Sequence, residues 1–141
     1  MKKKQYLLTL LLTAALSLSL SLPCFAAGDP KKGKRKYNEY CAQCHGKSGK
    51  GDGTRVKIEK FDPLPRNHTD GKYMNSRTDV QLFKLIKEGG KANNFSHIMP
   101  QWKHILSDQD IWNILAYVRS LAVPAWTGTP TAPPPPDYKR Q

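Results

Sequence analysis

Cys41-Ala42-Gln43-Cys44-His45 is the stretch that gives this chain its meaning. Two thiols three residues apart sit on one side of a helical turn. That spacing lets them add to the two vinyl groups on neighbouring rings of one porphyrin. The next residue then projects its imidazole beneath the macrocycle toward the iron. C-x-x-C-H therefore reads as a covalent haem attachment site, which consumes both thiols. Other chemistries fit the pattern less well. A dithiol redox pair needs a preceding strand, and the sequence shows none. A structural zinc site needs four ligands, and two cysteines with His45 fall short. A disulfide across so short a loop would remove little chain entropy.

The chain on the N-terminal side of the motif divides in two. Lys2, Lys3 and Lys4 precede an apolar run from Tyr6 to Leu22, which Pro23 ends, and small residues follow at Ala26 and Ala27. This order is that of a secretory signal peptide, residues 1–26, cleaved after Ala26. A retained membrane anchor is the competing reading, and the run is slightly short for it. A lipid anchor on Cys24 fits poorly with Pro23 directly before it. Cleavage leaves about 115 residues with Cys41 and Cys44 as the remaining cysteines, enough for one domain with a modest core. A large apolar cofactor would supply burial that such a chain lacks. Pro30 to Cys44 then reads as a first helix, capped by Asp29, with Pro30 at its first position and Tyr37, Tyr40, Cys41 and Cys44 at helical spacing.

Beyond the motif, 46–67 is rich in Gly, Lys, Pro and Asp and has no sustained period. A loop of that length is expected to wrap something. A short helical turn is expected around Asp70 to Met74. Thr78 with Gln81 forms a capping box for a helix over Thr78 to Glu88, which Gly89-Gly90 ends. Ser107 caps the clearest helix, Ser107 to Leu121. Asp108 and Asp110 suit its first turn and Arg119 its last, while Ile111, Ile114, Leu115, Val118 and Leu121 make its apolar stripe. No strand and no internal repeat is visible. The domain is expected over 27–122, followed by a Pro-rich flexible tail over 123–141.

An iron held by His45 needs a sixth ligand or an open face. Met74, His68, Met99, His97 and His104 are the downstream candidates. Met99 is favoured because Pro100 fixes the chain direction just past the sulfur and because it falls in a loop between two expected helices. Met74 and His97 remain as alternatives. Lys and Arg outnumber Asp and Glu by 23 to 11, and three of the lysines belong to the leader. The excess steers toward acidic partners or keeps the chain soluble. With an export signal, nucleic acid is not expected as a partner.

From the first helix to Leu121 the sequence resembles a class I cytochrome c, closest in character to small bacterial monohaem proteins. The resemblance rests on Cys41-Ala42-Gln43-Cys44-His45-Gly46, on Met99-Pro100, and on Ile114-Leu115-Ala116-Tyr117. It also rests on Gly33 and Tyr37, which match the positions where that family crosses its first and last helices. It implies an all-α fold wrapped around one covalently bound haem c, with His45 and Met99 as axial ligands. Arg66, Tyr73 and Trp102 are expected along the haem edge and propionates. It implies electron transfer rather than catalysis, in the periplasm, as a monomer in transient contact with acidic redox proteins. Contact with a membrane surface is compatible with the charge. Two other functions compete: a five-coordinate haem with ligand-binding or peroxidase-type activity, and a membrane-tethered cytochrome subunit of a respiratory complex.

Overall fold

The computed structural model describes residues 28–128. The expected signal peptide and the tail beyond residue 128 lie outside the described residues. The described fold is helical. A single isolated parallel bridge, Asp70 to Val123, is its one piece of extended pairing. The all-α expectation agrees with it.

Helix α1 spans Pro30–Tyr40. The Asp29 carboxylate accepts from the backbone N–H groups of Lys31 (2.8 Å) and Lys32 (3.2 Å), satisfying donors that have no partner within the helix. The first helix was expected to run unbroken to Cys44. Instead it opens at Cys41 (φ −108°, ψ −33°), and a short second piece, α2 (Ala42–His45), follows. The His45 N–H still reaches the Cys41 carbonyl at 2.9 Å, so the haem motif sits on one loosened turn.

Helix α3 (Gly71–Asn75) is capped by Asp70, and α4 (Asp79–Glu88) by the Thr78–Gln81 box. Helix α5 covers Asp108–Leu121. Ser107 caps it, and Asp110 returns a bond to the Ser107 N–H, a reciprocal box that the dipole argument alone had not required. The long loop after the motif carries a 3₁₀ turn at Thr54–Lys57, and a second follows α4 at Lys91–Asn93.

Helices α1 and α5 cross closely. A Cβ on Gly33 would collide with the backbone carbonyl of Asn113, so only glycine permits this approach. Near the same end of α1, the Asp29 N–H donates to Asn113 Oδ1 (2.8 Å). Further along, the Tyr37 ring meets Tyr117 edge-on at 5.1 Å. Tyr37, Ile111, Ile114 and Leu115 are fully buried there. Phe83 of α4 stacks on Trp112 of α5 (4.6 Å, 21°), closing the other flank of the core. Gly33→Ala is expected to cost about 1–3 kcal/mol by forcing the helices apart. A lower denaturant midpoint at unchanged slope would report it. Lys34→Ala, on the exposed side of α1, is the control and should stay within roughly 0.5 kcal/mol.

Packing does not stop at residue 122, where the sequence placed the domain boundary. Val123 to Trp126, expected as the start of a flexible tail, are docked. The Val123 N–H donates to Thr69 (3.0 Å), and the Gly71 N–H to Val123 (3.1 Å). Asn75 Nδ2 donates to the carbonyls of Pro124 and Ala125. The Trp126 ring lies 3.8 Å from the Arg119 guanidinium.

Candidate haem site

A cavity of about 330 Å³ opens between α1–α2, the loop from Phe61 to Arg66, α3–α4 and the loop after α4. That volume is in the range of pockets that hold a whole organic ligand. Cys41, Cys44 and His45 line it, and so do Met99, Arg66, Tyr73 and Trp102. Residues from five separate segments of the sequence thus share one cavity. Among the other ligand candidates, Met74 and His68 also line it, whereas His97 and His104 do not. Both of the latter are exposed.

The chemistry of the wall suits a large flat apolar group with one reactive edge. Leu82, Leu85, Ile98, Ile114, Leu115 and Val118 supply hydrocarbon. Cys41 and Cys44 are both unpaired thiols. Burial, with a smaller contribution from neighbouring Cys44, pushes the Cys41 thiol up to about 12, so it is fully protonated near neutrality. His45 Nδ1 lies 3.0 Å from the Arg66 carbonyl. A carbonyl can only accept, so Nδ1 carries the proton and Nε2 keeps a lone pair for a metal. Burial lowers the His45 pKa, and the bond to Arg66 opposes that shift in part. The imidazole is thereby held in the neutral, ligating form, with the outer contact that metal-binding histidines use.

Met99 is placed by backbone contacts. Gly89 ends α4 at φ +76°, a left-handed conformation that suits glycine, and the next N–H, of Gly90, donates to the Met99 carbonyl (3.0 Å). Met99 is half-buried, whereas Met74 is 2% exposed and belongs to the packed core. Trp102 meets Tyr40 edge-on at 5.5 Å. The Arg66 guanidinium lies over the Tyr73 ring at 3.8 Å.

Two residues of the site escaped the sequence argument. Arg77 lies near the same Tyr73 ring (5.3 Å), donates to its hydroxyl (3.3 Å), and stands 5.4 Å from the Phe95 ring. It falls between two caps, where no periodicity marks it. His68 had been weighed only as an iron ligand. Its ring stacks on that of His45, and burial holds its pKa well below the ordinary histidine value.

Comparison with known proteins agrees with this geometry. Residues 28–118 match the family described as cytochrome c oxidase, cbb3-type, subunit III. Cytochrome c-554(547) of Halothiobacillus neapolitanus is 30% identical over 95 residues, which span 67% of this chain and 99% of that protein. The solved KustC0563 c-type cytochrome superposes with a TM-score of 0.50 at 20% identity, covering 64% of this chain and 96% of that one, a likeness of fold. A chain of the Kuenenia stuttgartiensis reducing HAO-like protein complex Kustc0457/Kustc0458 superposes with a TM-score of 0.54 at 26% identity, over 70% of this chain and 44% of that one. The matched residues 28–118 include the whole lining of the cavity, and on this match and that relative the chain belongs to the c-type cytochromes, whose cofactor is covalently bound haem c and whose business is electron transfer.

Proposed function

We propose that this chain is an exported monohaem carrier that shuttles single electrons between redox proteins in the periplasm. The observation that supports it is the convergence of two unpaired thiols, a neutral imidazole with a free Nε2 and a methionine thioether on one apolar cavity. Cys41 and Cys44 would hold the haem by thioether bonds, and His45 and Met99 would be its axial ligands. Haem bound in this way supplies a one-electron couple between ferrous and ferric iron. With both axial positions filled by the protein, no site is left for a substrate. The apolar wall excludes water, and a thioether ligand favours the ferrous state and raises the potential. Arg66, Tyr73 and Trp102 line the haem edge in this reading. Arg66 and Arg77 bring positive charge to where propionates would sit.

The surface fits brief encounters with acidic proteins. Lys31, Lys32, Lys34 and Arg35 on α1, with Lys47, Lys50, Lys57 and Lys60 on the loop, are all exposed. Such an excess speeds association and weakens with salt. Among the described residues, no helix is long and apolar enough to cross a membrane.

The test is a spectrum and redox titration of the mature protein beside Met99→Ala. The parent should show the far-red ferric band of methionine–iron ligation and refuse carbon monoxide. The variant should keep covalent pigment, lose the band and fall in potential, within the roughly 0.8 V span over which axial ligands move haem couples. An unchanged variant spectrum would transfer the ligand role to Met74, the other methionine on the cavity wall.

A further inference from the structure

The ring of His68 lies nearly parallel to that of His45, with centroids 4.3 Å apart and planes at 19°. This is an offset stack of two imidazoles. His68 is itself held in place. Its Nδ1 lies 3.3 Å from the Tyr37 hydroxyl oxygen. The same hydroxyl donates its hydrogen to the Gly46 carbonyl at 3.1 Å. With that hydrogen committed, the oxygen can only accept from His68, so Nδ1–H of His68 is the donor. The backbone N–H of His68 is bonded to the Gly49 carbonyl (2.6 Å). Tyr37 is fully buried, pinned edge-on by Tyr117, and cannot yield.

We propose that His68 is a positioning residue for the haem ligand His45, fixing the plane of its imidazole by stacking against one face. The proposal rests on the reading of His45 as an iron ligand. A single bond from Nδ1 to the Arg66 carbonyl restrains the edge of the His45 ring but lets the ring rock about that bond. A rigid second ring against its face removes the remaining freedom. Arg66 and His68 stand two residues apart, so one loop segment controls both the edge and the face. An aliphatic side chain could fill the same space, but it offers neither a flat face nor an edge bond to fix its own rotation. The histidine supplies both.

The orientation of an axial imidazole plane governs how unpaired spin is shared among the four haem methyl groups of the ferric protein. Proton NMR of the holoprotein reads this directly, and a residue that merely filled space would not move it. Three variants are compared with the parent, each first shown to hold covalent haem. His68→Leu removes face and edge bond together and is expected to change the order or spread of the methyl signals. His68→Phe keeps a flat face and is expected to restore a pattern close to the parent. His68→Gln keeps a hydrogen-bonding edge without a ring and is expected to resemble the leucine variant. A parent-like pattern in His68→Leu overturns the proposal. Should that variant fail to accumulate, the other two decide: phenylalanine parent-like and glutamine shifted supports it, and the reverse order overturns it. The parent spectrum separates the two levels of argument. A low-spin ferric parent with unmoved variants defeats this inference alone, whereas a parent without histidine ligation defeats the reading beneath it as well.

Discussion

The double variant Cys41→Ser/Cys44→Ser is expected to carry no covalent haem and to lose cooperative folding. The reason lies in what lines the cavity. Tyr37, Met74, Leu82, Ile114, Leu115 and Val118 belong to the hydrophobic core, and all of them also face the cavity. Core and haem pocket are one structure here. At roughly 24 cal/mol per Å³ of cavity, leaving about 330 Å³ unfilled costs on the order of 8 kcal/mol. The whole stability of a native domain is about 5–15 kcal/mol. A loss of that size takes most or all of the stability of a small domain at the lower end of that range. The single variants should each keep one thioether and remain pigmented. Haem content after acid extraction, together with a thermal melt followed by circular dichroism, reads both halves of the expectation. A colourless double variant that melts in one sharp transition would show that the polypeptide packs without its cofactor, and the account of the core would fall.

The parts of the site that could be read from the sequence are those with local causes. Asp29, Thr78 and Ser107 each cap a helix because a side-chain oxygen reaches an N–H two or three residues away. The haem motif is five consecutive residues. Met99 is marked by Pro100 on one side and Gly89-Gly90 on the other. What stayed hidden depends on distant partners. The stack of His68 on His45 joins positions 23 residues apart, with Tyr37 further away still. Arg77 acquires its place from Tyr73 and Phe95, on opposite sides of it in sequence. The docking of Val123 to Trp126 depends on Thr69, Gly71, Asn75 and Arg119, so a stretch without period gave no sign of it. Arg119 shows the limit best. At the end of a helix it satisfies the dipole rule, and that sufficient local reason concealed a larger one.

Arg119→Met is expected to lower stability by about 3–5 kcal/mol, far more than loss of a surface charge at a helix end. The side chain is 7% exposed, and its partner Asp79 is 4% exposed. Nε donates to the Asp79 carboxylate at 2.8 Å, and Nη2 approaches the same oxygen at 2.8 Å. Nη1 donates to the Met74 carbonyl and Nη2 to the Arg77 carbonyl, each at 2.6 Å. One guanidinium thus ties α5 to α3, to the turn after it and to the start of α4, the stretch that carries Tyr73, Met74 and Arg77 to the cavity wall. Methionine keeps most of the volume but takes the counter-charge from a carboxylate that water does not reach. The cost is therefore desolvated charge and two lost bonds to carbonyls rather than lost packing, and two further measurements isolate the charge. Arg119→Met/Asp79→Leu removes both charges and should be more stable than Arg119→Met alone, because an apolar pair of similar volume replaces a buried ion pair at little net cost. Added salt should leave the parent's Arg119 contribution in place, since buried pairs are weakly screened, while eroding exposed pairs such as Lys87–Asp108 (2.7 Å). A double variant that loses as much as the two singles combined would mean that the residues act independently, and the guanidinium would then matter for shape rather than for charge.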